Sequence, residues 1–533
     1  MTSPSKLRVL AREFCSENFV FAVRYLADRR LTRIEKLWWT VWVLATLVTS
    51  CYYAASSIKA ANDNPMVTVY ASRFLPVSTV PFPAITICPL SKTHTKLFNL
   101  TRVLEQVKDN KTLDHDSELK LRTLAHVCPM SALWKQFEKS KHEKPFETLK
   151  QLTNLFHNMA SLCRWKSRFV PCYRLLGESL VADGLCYVFN SLAANETYRT
   201  DQIAPDFLNL RNSATTSAWT REKGYRRTAG LKAYPYRPLS SGMDSGVMIL
   251  LSLNKIDQDF ACRGPYTGYK ISIHAPDEFP MSEDKFLLMN PRHALTLNLK
   301  PKVLWTSRSL RYLPPEKRKC FFNEERSLRY FRNYNRYNCA AECISNYTFE
   351  KCGCVRFTMP RSADMKICDA SQIECYRNAS TTLNDEIKRH EIKHGEQNGC
   401  RCYQACNEFK YAVEISQFPF FFENYSRAAG FSTEDYSTID PTVMFVSFKL
   451  RHYLPLWRRK FFGTTDAIAK FGGLFALLMG SSVMSLGEIL YYCWVRPLRR
   501  ERTAKQKKRE QSVRLVLPWI PPNKHVFVAR RWV

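Results

Sequence analysis

FGGLFALLMGSSVMSLGEILYYCWV, residues 471–495, is a run of 25 residues between Lys470 and Arg496 with one charge, Glu488. It exceeds the roughly 20 residues, at about 1.5 Å of helical rise each, that cross about 30 Å of hydrocarbon. A second run, LWWTVWVLATLVTSCYYAASSI, gives 22 uncharged residues between Lys36 and Lys59. A buried core helix is the alternative for either. The earlier run does not read as a cleaved signal peptide: 36 residues precede it, it is longer than a signal core, and no convincing small-residue cleavage site follows. A carboxylate in hydrocarbon is costly, so Glu488 is expected to face a pore or a partner helix. Helix packing is the plainer reading of Ser481 and Ser482, because small residues let backbones approach and serines bond across helices.

The flanks predict orientation. Residues 1–36 hold 8 Lys or Arg against 4 acids, and residues 496–533 hold 12 against 2. Positive-inside bias then places both tails in the cytoplasm of a two-span plasma-membrane protein, with residues 59–470 outside. Two independent features agree. All six glycosylation sequons, at Asn99, Asn110, Asn195, Asn346, Asn378 and Asn424, fall in the central block. So do 16 of the 19 cysteines, from Cys88 to Cys406, as an oxidising compartment permits; Cys15, Cys51 and Cys493 lie in or beside the spans or the tail. Of the formal net charge of +31, about +18 belongs to the outer block. Most of the charge is therefore extracellular and no recognition motif accompanies it, so no nucleic-acid partner is expected. The tail RRERTAKQKKRE, residues 499–510, reads as a stop-transfer anchor against anionic membrane lipid.

Within the outer block, KISIHAP from Lys270 and TVMFVSFKL from Thr442 alternate like strands, bounded by Pro, Gly and Asn. SELKLRTLAHV from Ser117 and the loop before Cys400 read as helical. The fold class is α+β: two transmembrane helices, 37–58 and 466–495, flank a large disulfide-rich, strand-containing extracellular domain, 59–465, with cytoplasmic segments 1–36 and 496–533. Ten cysteines crowd residues 320–406, and paired C-x-C units admit a zinc reading. Five disulfides stapling a loop-rich unit are the simpler account.

The spacing C-x3-C-x8-C-x-C from Cys339, then C-x-C-x3-C from Cys400, led by YLPPEKRKC ending at Cys320, resembles the thumb of degenerin, epithelial sodium and acid-sensing channels. FPAITIC ending at Cys88 and GLCYVFN around Cys186 resemble that family too, while FCSEN followed by VRYL, with the extra Cys128 and Cys262, looks most like its insect pickpocket branch. The resemblance runs from about Phe14 to Trp494 and places the thumb-like region near residues 305–410.

The resemblance implies a trimer, of like or related subunits, around a sodium-conducting pore, with no cofactor beyond the permeant ion. It implies the pairs Cys320–Cys406, Cys339–Cys402, Cys343–Cys400, Cys352–Cys375, Cys354–Cys368, Cys88–Cys186 and Cys163–Cys172, leaving Cys128 for Cys262. In AKFGGLFALLMGSS it places Ala469 at the degenerin position, Gly472 and Gly473 at a glycine pair, and Gly480, Ser481 and Ser482 at the selectivity filter. Ala476 falls where the family contacts amiloride, a position usually Ser or Gly, and Glu488 matches an acid below the filter.

Three sites depart from the pattern. Phe21 and Ala22 stand where a His-Gly pair supports gating. Lys470 puts an ammonium at the outer mouth unless it snorkels or pairs with Asp466. Lys317 replaces an aromatic of the acid-sensing relatives, and an outer block near +18 does not favour a proton-sensing cluster of paired carboxylates, so no proton-gated current is expected at pH 5. HEIKH, residues 390–394, satisfies the H-E-x-x-H zinc pattern with His390, His394 and Glu391, yet it has no evident third ligand, and a solvated thumb helix is expected instead; the chain is not read as an enzyme. The favoured function is a pore-forming subunit of a sodium-selective, non-voltage-gated channel, since no Arg-rich sensor helix is present. An accessory, poorly conducting subunit is the alternative, followed by a non-conducting receptor or adhesion protein.

Overall fold

The computed structural model describes residues 25–516 apart from 27, 29, 129–136, 138, 140–143, 154–158, 212–215, 258–259, 282–285, 395–398, 431–437 and 481. Phe21, Ala22 and Ser481 lie outside the described residues. The chain divides into two units, Met1–Met66 with Lys460–Val533, and Val67–Arg459.

In the first unit, the helix Arg33–Asp63 begins at a capping box: the Glu35 N–H donates to the Thr32 hydroxyl at 3.4 Å and the Thr32 N–H to the Glu35 carboxylate at 2.7 Å. Its 31 residues are long and apolar enough to cross a membrane. Trp38 and Trp42 near its start and Tyr52 and Tyr53 in its second half are exposed. Toward the carboxyl end the chain forms helices Thr464–Met479 and Val483–Leu490, a wider π-turn Tyr491–Val495, and the basic helix Arg496–Val516.

The second unit is built on an eight-stranded mixed sheet. Its hub is His293–Thr306, where Leu295, Leu297, Leu299 and Val303 are buried and alternate with Thr296, Asn298, Lys300 and Lys302 on the other face. That strand runs parallel to Ile439–Phe448 and to Leu456–Lys460, and antiparallel to Glu408–Pro419. Ile439–Phe448 pairs onward with Val247–Asn254, which pairs with Ala160–Trp165. Leu456–Lys460, which leads toward Thr464–Met479, neighbours Met66–Tyr70, which follows Arg33–Asp63. Aromatic rings fill the core below, with Phe82 edge-on to Trp165, Phe189 and Phe448 at centroid distances of 5.2, 5.9 and 5.5 Å.

A five-stranded sheet runs Leu287–Met289, Tyr269–His274, Ala84–Pro89, Gly184–Phe189, Leu176–Val181. The helix His115–Val127 starts at Asp114, whose carboxylate accepts the Ser117 N–H at 3.1 Å. The thumb-like region pairs Arg336–Cys352 with Ile373–His394; the first helix starts at Asn335, whose side chain accepts the Asn338 N–H at 2.8 Å, and stops at Gly353, φ +68°. Eight disulfides staple this unit: Cys88–Cys186, Cys128–Cys262, Cys163–Cys172, Cys320–Cys406, Cys339–Cys402, Cys343–Cys400, Cys352–Cys375 and Cys354–Cys368.

Candidate ion-pathway site

The oily carboxyl-terminal segment is two helices. At the first helix's start, the Asp466 carboxylate accepts the Gly463 N–H at 3.1 Å. Its end is Gly480, at φ +65°, whose N–H donates to the Ala476 carbonyl at 3.0 Å. A left-handed residue stops a helix, and glycine reaches that conformation without the Cβ penalty. After it, Ser482 is extended (φ −128°, ψ 173°) and caps the next helix. The Ser485 N–H donates to the Ser482 hydroxyl at 3.4 Å, and the Ser482 N–H donates to the Ser485 hydroxyl at 3.1 Å. Taken together across an 80° bend, Thr465–Met479 and the helical stretch Val483–Arg509 are long and apolar enough to cross a membrane.

The structure brings several expected positions together. Ala469, Gly472, Gly473 and Ala476 recur at helical spacing along one face of Thr464–Met479, and each is exposed, as are Gly480, Ser482 and Glu488. A side-chain carbon added at Gly472, Gly473 or Gly480 would meet open space within this chain. Glu488 lies in the helix that Ser482 caps. The Lys470 ammonium sits 5.8 Å from the centre of the Phe462 ring, a cation–π contact, while the Asp466 carboxylate is engaged at Gly463. Among the described residues no Lys470–Asp466 ion pair forms, so of the two escapes open to this lysine the ion pair is not the one taken.

In physical terms, stopping a helix at Gly480 leaves carbonyls of its last turn without helical donors, and the helix dipole gathers partial negative charge at that end. Such oxygens can take the place of water around a cation. The amiloride-sensitive sodium channel family matches residues 14–492 of the chain. The chain belongs to that family. It is a subunit of the degenerin and epithelial sodium channel type, a family of membrane ion channels and not of enzymes, built as assemblies of related subunits. Its relatives include pickpocket protein 28 of Drosophila melanogaster, 22% identical over 96% of this chain and 82% of that protein. Sodium channel protein Nach of Drosophila melanogaster is 23% identical, covering 91% and 87% of the two chains. Acid-sensing ion channel 1A of Danio rerio is 22% identical, covering 86% and 82%.

Elsewhere in this channel subunit, all six sequon asparagines are exposed: Asn99, Asn110, Asn195, Asn346, Asn378 and Asn424. Cys51 and Cys493 are free and exposed. His390 and Glu391 belong to the last turns of Ile373–His394, Glu391 exposed, and the described residues contain no cluster of three metal-ligating side chains. Lys317 is exposed in the turn Pro315–Arg318.

Reading the sequence missed two features. Ser485 is buried and completes the reciprocal cap with Ser482; the S-x-x-S spacing that begins two residues after Gly480 is the signal that would have found it. No local signal marks the ion cluster of Arg221, Asp277 and Glu278. The Arg221 guanidinium is buried, binding Asp277 through two nitrogens at 2.8 and 2.5 Å and Glu278 at 2.9 Å.

Proposed function

We propose that this chain is a pore-forming subunit of a sodium-selective, non-voltage-gated channel in the plasma membrane. Arg33–Asp63 is one span and the broken pair Thr464–Met479 and Val483–Leu490 the other, with both termini cytoplasmic and the six exposed sequons available to N-glycosylation outside. Two spans cannot enclose an aqueous path alone. Three copies, of this chain or of related subunits, meet around a threefold axis with membrane lipid outside them.

The observation that carries this reading is the helix stop at Gly480, with Ser482 following and the small residues Ala469, Gly472, Gly473 and Ala476 on one exposed face. Small side chains let three helices converge, and the stop turns carbonyl oxygens toward the narrowing. Ser481 and Ser482 add hydroxyl oxygens there, and three copies of Glu488 below the filter draw cations inward. Sodium is the permeant ion and no cofactor takes part; the Nach relatives are sodium channels by name, which supports the choice of ion. Ser482→Cys, expressed alone and with a related subunit under voltage clamp, is expected to become susceptible to block by a thiol reagent applied from outside. Current in either setting that the reagent leaves untouched would defeat the placement of Ser482 in the pore.

A second reading, an accessory subunit that conducts poorly alone, is favoured by Phe21 and Ala22 in place of the family's His-Gly pair and by Lys470 near the mouth. Current only on co-expression would select it.

A further inference from the structure

A cavity of about 200 Å³ opens where the edge strand Glu408–Pro419, the strand Tyr269–His274 with its following turn, and the first turn of Arg336–Cys352 approach one another. It is smaller than the roughly 300 Å³ at which drug-sized pockets begin. Lys302 and Lys410 line it, and the antiparallel register sets them directly opposite each other. Like charges in that position repel.

Neighbouring lysines on and beside this pair of strands are paired with carboxylates. Lys300 and Lys449 share the Glu414 carboxylate at 2.5 and 2.6 Å, and Lys410 reaches Glu408 at 2.7 Å. Among the described residues Lys302 is the one of these four with no carboxylate within ion-pair distance, and it is exposed at the cavity. The cavity's own acid does not serve it: one Glu278 oxygen accepts from Arg221 at 2.9 Å and the other from the Ala275 N–H at 2.9 Å. His274 contributes no charge at neutral pH, burial holding its pKa near about 4, and its nitrogens lie 2.9 Å from the Thr86 hydroxyl and 3.0 Å from the Ala275 carbonyl.

We propose that this cavity is a binding site for a small organic carboxylate, of the size of a four- or five-carbon diacid, held between the Lys302 and Lys410 ammonium groups. Ammonium donors to carboxylate form charge-assisted hydrogen bonds, and the ligand gives Lys302 the carboxylate that Lys410 already has in Glu408. The site lies in the outer unit and does not depend on the pore reading.

The test uses the detergent-solubilised full chain and succinate as probe. Succinate is expected to raise the thermal midpoint saturably, because a ligand that binds only the folded state stabilises it as the logarithm of its concentration. Lys302→Gln should weaken half-saturation at least tenfold, and Lys410→Gln several-fold, with the ligand-free midpoint of K302Q unchanged or higher as repulsion is relieved. Ala412→Glu, which supplies a tethered carboxylate diagonal to Lys302, should raise the ligand-free midpoint and abolish the succinate response. Four results would each overturn the assignment: no shift with succinate, an equal shift in K302Q, an equal shift with chloride at the same concentration, or loss of oligomer in K302Q without any ligand effect, which would make Lys302 a subunit contact.

Discussion

Adjacent residues Lys317 and Arg318 meet opposite fates. Lys317 is exposed, whereas Arg318 is buried, its guanidinium donating to the carbonyls of Cys320 at 3.0 Å and Leu310 at 3.1 Å and pairing with the Glu325 carboxylate. Removing one partner of a buried, hydrogen-bonded charge costs about 3–5 kcal/mol, and the partial exposure of Glu325 brings this toward the lower figure. Arg318→Ala is expected to lower the chain's thermal midpoint by several degrees and its surface level with it, while Lys317→Ala stays within about 0.5 kcal/mol of the parent. Equal midpoints for the two variants would refute this. Resemblance to the acid-sensing relatives singles out Lys317 as a departure, yet nothing local marks the next residue as the one that carries the turn. Which of two neighbouring cations is swallowed depends on the direction of one backbone turn, and that is set by the strand pairing of Cys320 and Phe321 with Gln404 and Ala405.

At the scale of elements, the oily run reads as one helix but folds as two. The break follows from Gly480, and the cap from Ser482 with Ser485. Because an added side chain there meets open space, Gly480→Ala isolates the conformational cost of a left-handed alanine, about 1–2 kcal/mol. On the pore reading, that variant loses current at unchanged surface abundance, and Gly480→Asn, which tolerates the left-handed region better, loses less. Voltage clamp paired with surface labelling measures both; full current from the alanine variant would mean that the break is dispensable. The thumb helices were legible in part. Residues before Cys400 carry a helical pattern, but the pairing of ten cysteines is not written in their spacing, and it enters only through likeness to the family.

For the whole molecule, acid acts on stability. His274 is buried at the junction of the five-stranded sheet with the Arg221 cluster, close to Asp277 and Glu278. Unfolded, its imidazole takes up a proton near pH 6.5; folded, burial delays this to about 4. Between those values the unfolded state binds more protons, so the contribution of His274 is complete above pH 6.5 and is lost as pH falls toward 4. At about 1.4 kcal/mol per pH decade, the loss reaches about 3 kcal/mol at most. The thermal midpoint of the full chain should fall across that window, and His274→Gln should flatten the fall. An identical pH profile in the variant would exclude this origin.

Sequence alone determined the topography: two oily runs, basic flanks, sequons and cysteines confined to the block between them, and a glycine followed by serines inside the second run. These properties are legible because each rests on composition or on the conformational freedom of single residues. Tertiary structure decided that the strands continuous with both oily segments lie side by side in one sheet, that Arg221 meets Asp277 and Glu278, and that Lys302 faces Lys410 beside a cavity. Such meetings join residues separated by 50 to 400 positions, and they are selected by the burial of the whole core, which no local pattern encodes.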